Sequence, residues 1–292
     1  KVTNKNDEQQ EKVINIKKVE ISNKSELEQF REMVNNGVTF EGDTVTLLAD
    51  IYLEGSSTNR NWTPIGDREE SKHFSGIFEG NNHKIFDIYN RENTKRRQGL
   101  FENIIGGKIQ NLGIESGHII CDAVAGCIVW RIDDGNIINC YSKAKVEGGN
   151  AEMYVGNIGG IAGVAFNTTI KECYNEGEII GKSECNGGII GAGLASAKIL
   201  SCYNIGKIEG KSYSGGIAGY IAEEGAQIKN CYNKGNIKTS DYAGGIVGED
   251  DEKTKVENCY STGKVTATTG AGGVIGWHKG WLSNLFFINT AG

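Results

Sequence analysis

Carboxylates gather in three short clusters along this chain: Asp133-Asp134, Glu223-Glu224 and Asp250-Asp251-Glu252. Paired carboxylates can serve as acid and base on a glycosidic bond, and several carboxylate oxygens together suit a hard cation such as calcium. Glu223, Glu224, Asp250, Asp251 and Glu252 are therefore candidate Ca²⁺ ligands, and no other cofactor is implied. Two glycine-rich segments, 177–183 and 206–212, imitate a phosphate-binding loop but are one residue short of the required spacing, with strand where a helix must begin. The four histidines, His73, His83, His118 and His278, are followed by Phe74, Lys84, Ile119 and Lys279, so the His-Glu-x-x-His of zinc peptidases does not occur. No Asp, Glu, Arg or Lys position recurs with the isolation an active site would show. The chain reads as a non-enzyme.

The residues that do recur are cysteines and tyrosines. Asn139-Cys140-Tyr141, Glu172-Cys173-Tyr174, Ser201-Cys202-Tyr203, Asn230-Cys231-Tyr232 and Asn258-Cys259-Tyr260 stand at cysteine spacings of 33, 29, 29 and 28 residues. A fixed period of this size marks a repeat protein, in which each unit buries its apolar face only against its neighbours. Every unit holds three short runs: one after a glycine pair, as in Gly215-Gly216-Ile217-Ala218-Gly219; a second such as Ile228-Lys229-Asn230-Cys231-Tyr232; and a third after a glycine, as in Gly235-Asn236-Ile237. Runs this short, rich in Ile and Val and parted by Gly, Asn and Ser, are strands. Stacked about 4.8 Å apart, such coils pair each backbone group with the coil above and below. The predicted fold is all-β: a right-handed parallel β-helix with three short strands per rung and about eight rungs, closed at its N-terminal end by an α-helix.

Within the second run a straight strand would set Cys231 and Tyr232 on opposite faces. Related rungs carry Ile88, Leu112 and Leu285 at the cysteine position, so that position faces the core. A one-residue corner must precede it, and Asp87, Asn111, Asn139, Asn230, Asn258 and Asn284 occupy it, types that tolerate a left-handed backbone. Cys140, Cys173, Cys202, Cys231 and Cys259 thus form an inward ladder of free thiols beside a second stack of Cys127, Ile161, Ile189, Ile217, Ile246 and Val274. Cys121, Cys127 and Cys185 leave room for one bridge. Tyr141, Tyr174, Tyr203, Tyr232 and Tyr260 then point outward as an aromatic file, continued by Phe286, and are the candidate binding residues for a sugar or protein surface.

Forty-two glycines and a single proline, Pro64, fit tight bends and unbroken ladders. The net charge of −6 comes with no recurrent Lys/Arg stripe, which argues against nucleic acid, and no apolar stretch approaches the length of a membrane span. Residues 1–20 are a polar linker and lead-in. Residues 21–88 form a capping region with a helix at about 25–36, in which Ser25 and Glu28 have capping-box spacing, Leu27, Phe30, Met33 and Val34 make an apolar stripe, and Gly37 stops the helix; the first rung follows. Residues 89–292 carry the repeats. With no polar cap at Gly292, a longer natural chain is expected.

The pattern Gly-Gly-Ile-Val-Gly followed by Val-Glu-Asn-Cys-Tyr-Ser-Thr-Gly-Lys-Val, from Gly244 to Val265, resembles the GLUG motif of bacterial surface proteins, which include IgA1-specific metallopeptidases and large adhesins. The resemblance spans Gly99 to Gly292, and the segment Ile21 to Ile88 is similar to the lead-in found before such repeats. It implies an exported, extracellular bacterial cell-surface module that adheres to a host glycan or host protein through its β-helix surface. The alternative is a structural spacer or scaffold within a larger surface protein such as an IgA1-type metallopeptidase. A polysaccharide lyase or hydrolase ranks behind both.

Overall fold

The computed structural model describes residues 18–67, 71–90, 97–148, 156–182 and 184–278, together with the backbone of 286–287. Within them the chain winds into a parallel β-solenoid of about eight turns. One turn shows how the three runs behave. Its strands are Cys185–Gly187, Ile190–Leu194, Lys198–Leu200, Tyr203–Asn204 and Ile208–Gly210. The first run folds between Gly187 and Ile190, the second folds at Ser201, and the third stays straight. Three runs therefore supply five hydrogen-bonded ladders, two with nine strands and three with seven.

Asp87 and Ile88 do not stand at the Asn–Cys position as expected: Ile85 pairs with Ile114 and Ile88 with Gly117, while Phe78 pairs with Ile109, so Asp87, left-handed at φ 59°, turns the next corner of its coil. The corner in the second run takes the expected left-handed form elsewhere: φ is 56° at Asn111, 52° at Asn139, 56° at Asn230 and 52° at Asn258. Glu172 and Ser201 adopt it too, at 57° and 54°, although neither side chain favours it. Asn284 and Leu285 lie outside the described residues. Because each corner turns the chain by one residue, the five ladder cysteines are buried, each at 0 or 1% exposure. The stack from Cys127 to Val274 is buried as well. None of the eight cysteines is in a disulfide, so the bridge considered among Cys121, Cys127 and Cys185 is not formed. Each ladder thiol donates to backbone carbonyls; that of Cys202 lies 3.3 Å from the oxygen of Leu200 and 3.6 Å from that of Ile170.

The glycine-rich run has a steric role. Its first glycine ends one strand and its last lies in the next, bringing two sheets together backbone to backbone. A β-carbon on Gly191 would stand 2.6 Å from the nitrogen of Ile158, closer than real β-carbons come to any atom. Larger residues at this recurring position would force the two walls apart.

The helix α1 (Lys24–Asn35) closes the N-terminal end. Its cap is Asn23 rather than Ser25: the Asn23 side chain accepts from the Glu26 nitrogen at 3.1 Å, and the Glu26 carboxylate accepts from the Ser22 nitrogen at 2.6 Å. The box is thus shifted two residues upstream, because Asn caps at least as well as Ser and the chain enters from a strand ending at Ile21. Gly37, at φ 95°, stops the helix as expected. Leu27, Phe30 and Val34 are buried, whereas Met33 is 36% exposed and lies off the buried stripe. Phe30 enters a cluster with Phe40, Phe74, Phe78 and Phe101, at centroid distances of 5.1 to 6.5 Å. Hydrophobic burial thus plugs what would otherwise be an open, aggregation-prone end.

Candidate functional site: the tyrosine face

One nine-stranded sheet carries the aromatic file on its outer side. Tyr141, Tyr174, Tyr203, Tyr232 and Tyr260 pair in register from turn to turn, and the backbone of Phe286 pairs with Tyr260 beyond them. Their rings stack at centroid distances of 4.8, 4.8, 4.9 and 5.3 Å, with planes 3° to 10° from parallel. Strand spacing sets ring spacing. Consequently each inner ring has both faces covered by its neighbours, and the file presents its edges and hydroxyls to solvent.

At the start of the file the Tyr141 hydroxyl donates to Glu115 at 2.6 Å, and Lys143 donates to the same carboxylate at 2.7 Å. Lys84 approaches it at 3.8 Å. Burial pushes the Glu115 pKa up, but the Lys143 and Tyr141 bonds outweigh it and the net shift is downward. Tyr141 moves the other way, raised by burial and by the Glu115 carboxylate. Burial likewise raises Tyr174, Tyr203 and Tyr232. These phenols stay protonated at neutral pH and are poor nucleophiles. Lysine ammonium groups lie over the rings of Tyr141 and Tyr232, at 5.6 and 5.4 Å.

The acidic loops of adjacent turns meet. The Asp251 carboxylate accepts from the backbone nitrogens of Glu223 and Lys253, at 2.8 and 3.0 Å, and from the Thr254 hydroxyl at 2.9 Å, so it holds its loop together. Asp250 is 1% exposed and faces His278 Nδ1 at 2.7 Å. Burial raises the Asp250 pKa, with the His278 contact offsetting part of the effect. Glu224 instead lines a shallow groove with Gln227, Lys253 and Lys255. Among the described residues no group of three or more His, Cys, Asp or Glu side chains is arranged to hold a metal ion. Glu223 and Asp251 thus meet across adjacent turns, while the Asp250 carboxylate turns to His278. Asp133 pairs with Arg131 at 2.6 Å. Histidines are similarly engaged, His83 with Asp50 and His118 with Glu147, both at 3.2 Å.

The thiols are inert for a physical reason. Burial in an apolar core penalises the thiolate, pushing Cys127 up to about 12 and raising Cys173 and Cys202 well above the usual thiol range.

Three features escaped the sequence reading. The first is a buried amide ladder one residue after the tyrosines: the Asn175 amide donates to the Asn204 side-chain oxygen at 2.9 Å, Asn204 to Asn233 at 2.8 Å, and Asn233 to the Ser261 hydroxyl at 3.2 Å. Each amide also donates to the carbonyl two residues on, at 2.8 Å, so the ladder is satisfied in its dry surroundings. Its signal was the recurrence Tyr-Asn-x-Gly. The second is a separate stack of Tyr213, Tyr242 and Trp277 on neighbouring sheets. The third is the pair Tyr52 and Phe86, at 4.6 Å and 12°.

A five-ladder solenoid with a helical plug and a satisfied tyrosine wall defines a parallel β-solenoid module. No protein-family model matches the chain, and no curated protein sequence does. Among solved structures, a Bacteroides ovatus protein described as a "putative immunoglobulin A1 protease" superposes with a TM-score of 0.72 at 23% identity, covering 91% of this chain and 85% of that one. An "IgA1 Protease" superposes with a TM-score of 0.62 at 16% identity, over 92% of this chain but 21% of that one. The chain thus spans about a fifth of the second protein. At these identities the likeness is one of fold. No helix among the described residues is long and apolar enough to cross a membrane.

Proposed function

We propose that this chain is a non-catalytic scaffold module of an exported bacterial surface protein, a rigid rod that holds other parts of that protein away from the cell. The observation that carries the reading is the tyrosine wall. Its rings are face to face along the rod and its amide ladder is satisfied behind them, so the most distinctive surface element braces the sheet rather than offering open rings. The GLUG resemblance and the two IgA1 protease neighbours support the setting. On this reading the module needs no cofactor, binds no nucleic acid, does not insert in a membrane and works extracellularly as part of a longer chain.

A second reading is adhesion to a host glycan or protein through the edges of the file. It draws on Tyr260 and Ile205, which are 39% and 42% exposed on or beside the file. The deciding experiment incubates the chain and a Tyr203→Ala/Tyr232→Ala double variant with a host glycan array and with immunoglobulin A1. The scaffold reading expects no cleavage product and no signal that depends on those tyrosines. Binding that the double variant loses replaces it with the adhesive reading, and cleavage by the chain overturns both.

A further inference from the structure

The aromatic ring with an open face lies not in the file but at the N-terminal end of the same sheet. Among the described residues the strand Ile51–Tyr52 is the edge strand there, paired on one side with the strand Lys84–Phe86. Tyr52 stacks on Phe86 at 4.6 Å, yet it remains 55% exposed, more than any other large hydrophobic residue among those described. One face covered at that exposure leaves the other in water. The ring is also held in place, since Phe86 supports it from beneath and little rotamer freedom remains to be lost on binding.

Asp50 and Glu54 flank this strand two residues to either side of Tyr52, with the buried Ile51 and Leu53 between. Each carboxylate is matched with a base. Glu54 meets Lys24 at 3.1 Å, and Asp50 meets His83 at 3.2 Å while accepting from the Lys84 nitrogen at 3.0 Å. A free ion of either sign would have to break one of these pairs. A hydroxyl can instead donate to the carboxylate and accept from the N–H group facing it, bridging the pair without breaking it.

We propose that Tyr52, supported by Phe86 and rimmed by the Asp50–His83 and Glu54–Lys24 pairs, is a binding platform for one neutral hexopyranose, whose apolar C–H face stacks on the ring while its hydroxyls meet the rim. The site is independent of the tyrosine file and is compatible with a scaffold, which would then touch a neutral glycan at one end.

The test is saturation-transfer NMR on the whole chain with methyl β-galactopyranoside and methyl β-glucopyranoside. Saturable binding is expected with a dissociation constant on the order of 1 mM for a single stacked ring, with saturation strongest at the C–H groups of one sugar face. Tyr52→Ala, with an unchanged melting temperature, should weaken binding about tenfold, whereas Tyr52→Phe keeps it within about twofold. Tyr203→Ala/Tyr232→Ala should leave it intact, which separates this site from the adhesive reading. Absence of saturable binding of either sugar, a Tyr52→Ala variant that binds like the parent, or an oligoproline peptide binding where neither sugar does would each overturn the proposal.

Discussion

Gly191 lies against the backbone nitrogen of Ile158 in the preceding turn, so near that a β-carbon would stand 2.6 Å from it. The facing atom is main chain in a paired strand and cannot swing aside. Gly191→Ala should therefore cost about 3 kcal/mol, at the upper end of overpacking effects, by prising two sheets apart. Denaturant unfolding measures it. A loss below about 0.5 kcal/mol would mean the sheets slide freely over each other.

Glu172 and Ser201 interrupt an outer row of asparagines at the corner. Asn139 donates to Asn111 at 2.8 Å and Asn258 to Asn230 at 3.2 Å, while the two turns between lack the amide. Both interrupting residues hold the left-handed backbone that Asn tolerates best. The double variant Glu172→Asn/Ser201→Asn should be stabilised by about 1 kcal/mol, seen as a higher urea midpoint with an unchanged slope. A lower midpoint would show that the amide row adds nothing.

Replacing Asn204 strands two partners at once, because it accepts from Asn175 and donates to Asn233. Asn204→Leu is expected to cost about 2 to 4 kcal/mol, more than removal of an exposed hydrogen bond would. Simultaneous exchange of Asn175, Asn204 and Asn233 for Leu should cost less than three times the single change, since few unpaired amides then remain. Calorimetry on both variants checks the comparison.

Glu115 supplies a pH signature. Its folded pKa lies below its ordinary value of 4.5, so the stability it contributes is complete above pH 4.5 and is lost as the pH falls through the lowered value. In Glu115→Gln that contribution is absent at every pH. The stability gap between parent and variant should be constant from neutral pH down to about 4.5 and close below it. A gap that widens on acidification would reverse the sign and refute the assigned contacts with Lys143 and Tyr141.

The legible parts of this molecule were those repeated in the chain. Cys202 and Tyr203 could be assigned to opposite sides because Leu112 takes the place of the cysteine in another turn and an asparagine-type corner precedes it. The satisfied amide of Asn204 was hidden because a lone Asn after a Tyr reads as a surface residue, and its burial depends on partners 29 residues away on each side. Tyr52 fell outside any repeat, and its open ring follows from being the last strand of a sheet. Asp250 looked like a surface carboxylate among others until the register set it beside His278 at 2.7 Å. The partner of Asp251 was hidden for the same reason: the winding directs it to the Glu223 loop, while its sequence neighbour Asp250 goes to His278.

The pairing of like residue with like residue from one turn to the next has a consequence for heredity. Deleting or duplicating a whole repeat of 28 or 29 residues would rejoin Tyr to Tyr, Asn to Asn and Cys to Cys, leaving each junction chemically unchanged. Unequal recombination within the repeats could therefore adjust the molecule's reach like a telescoping ruler, in increments of about 4.8 Å, the distance between adjacent strands.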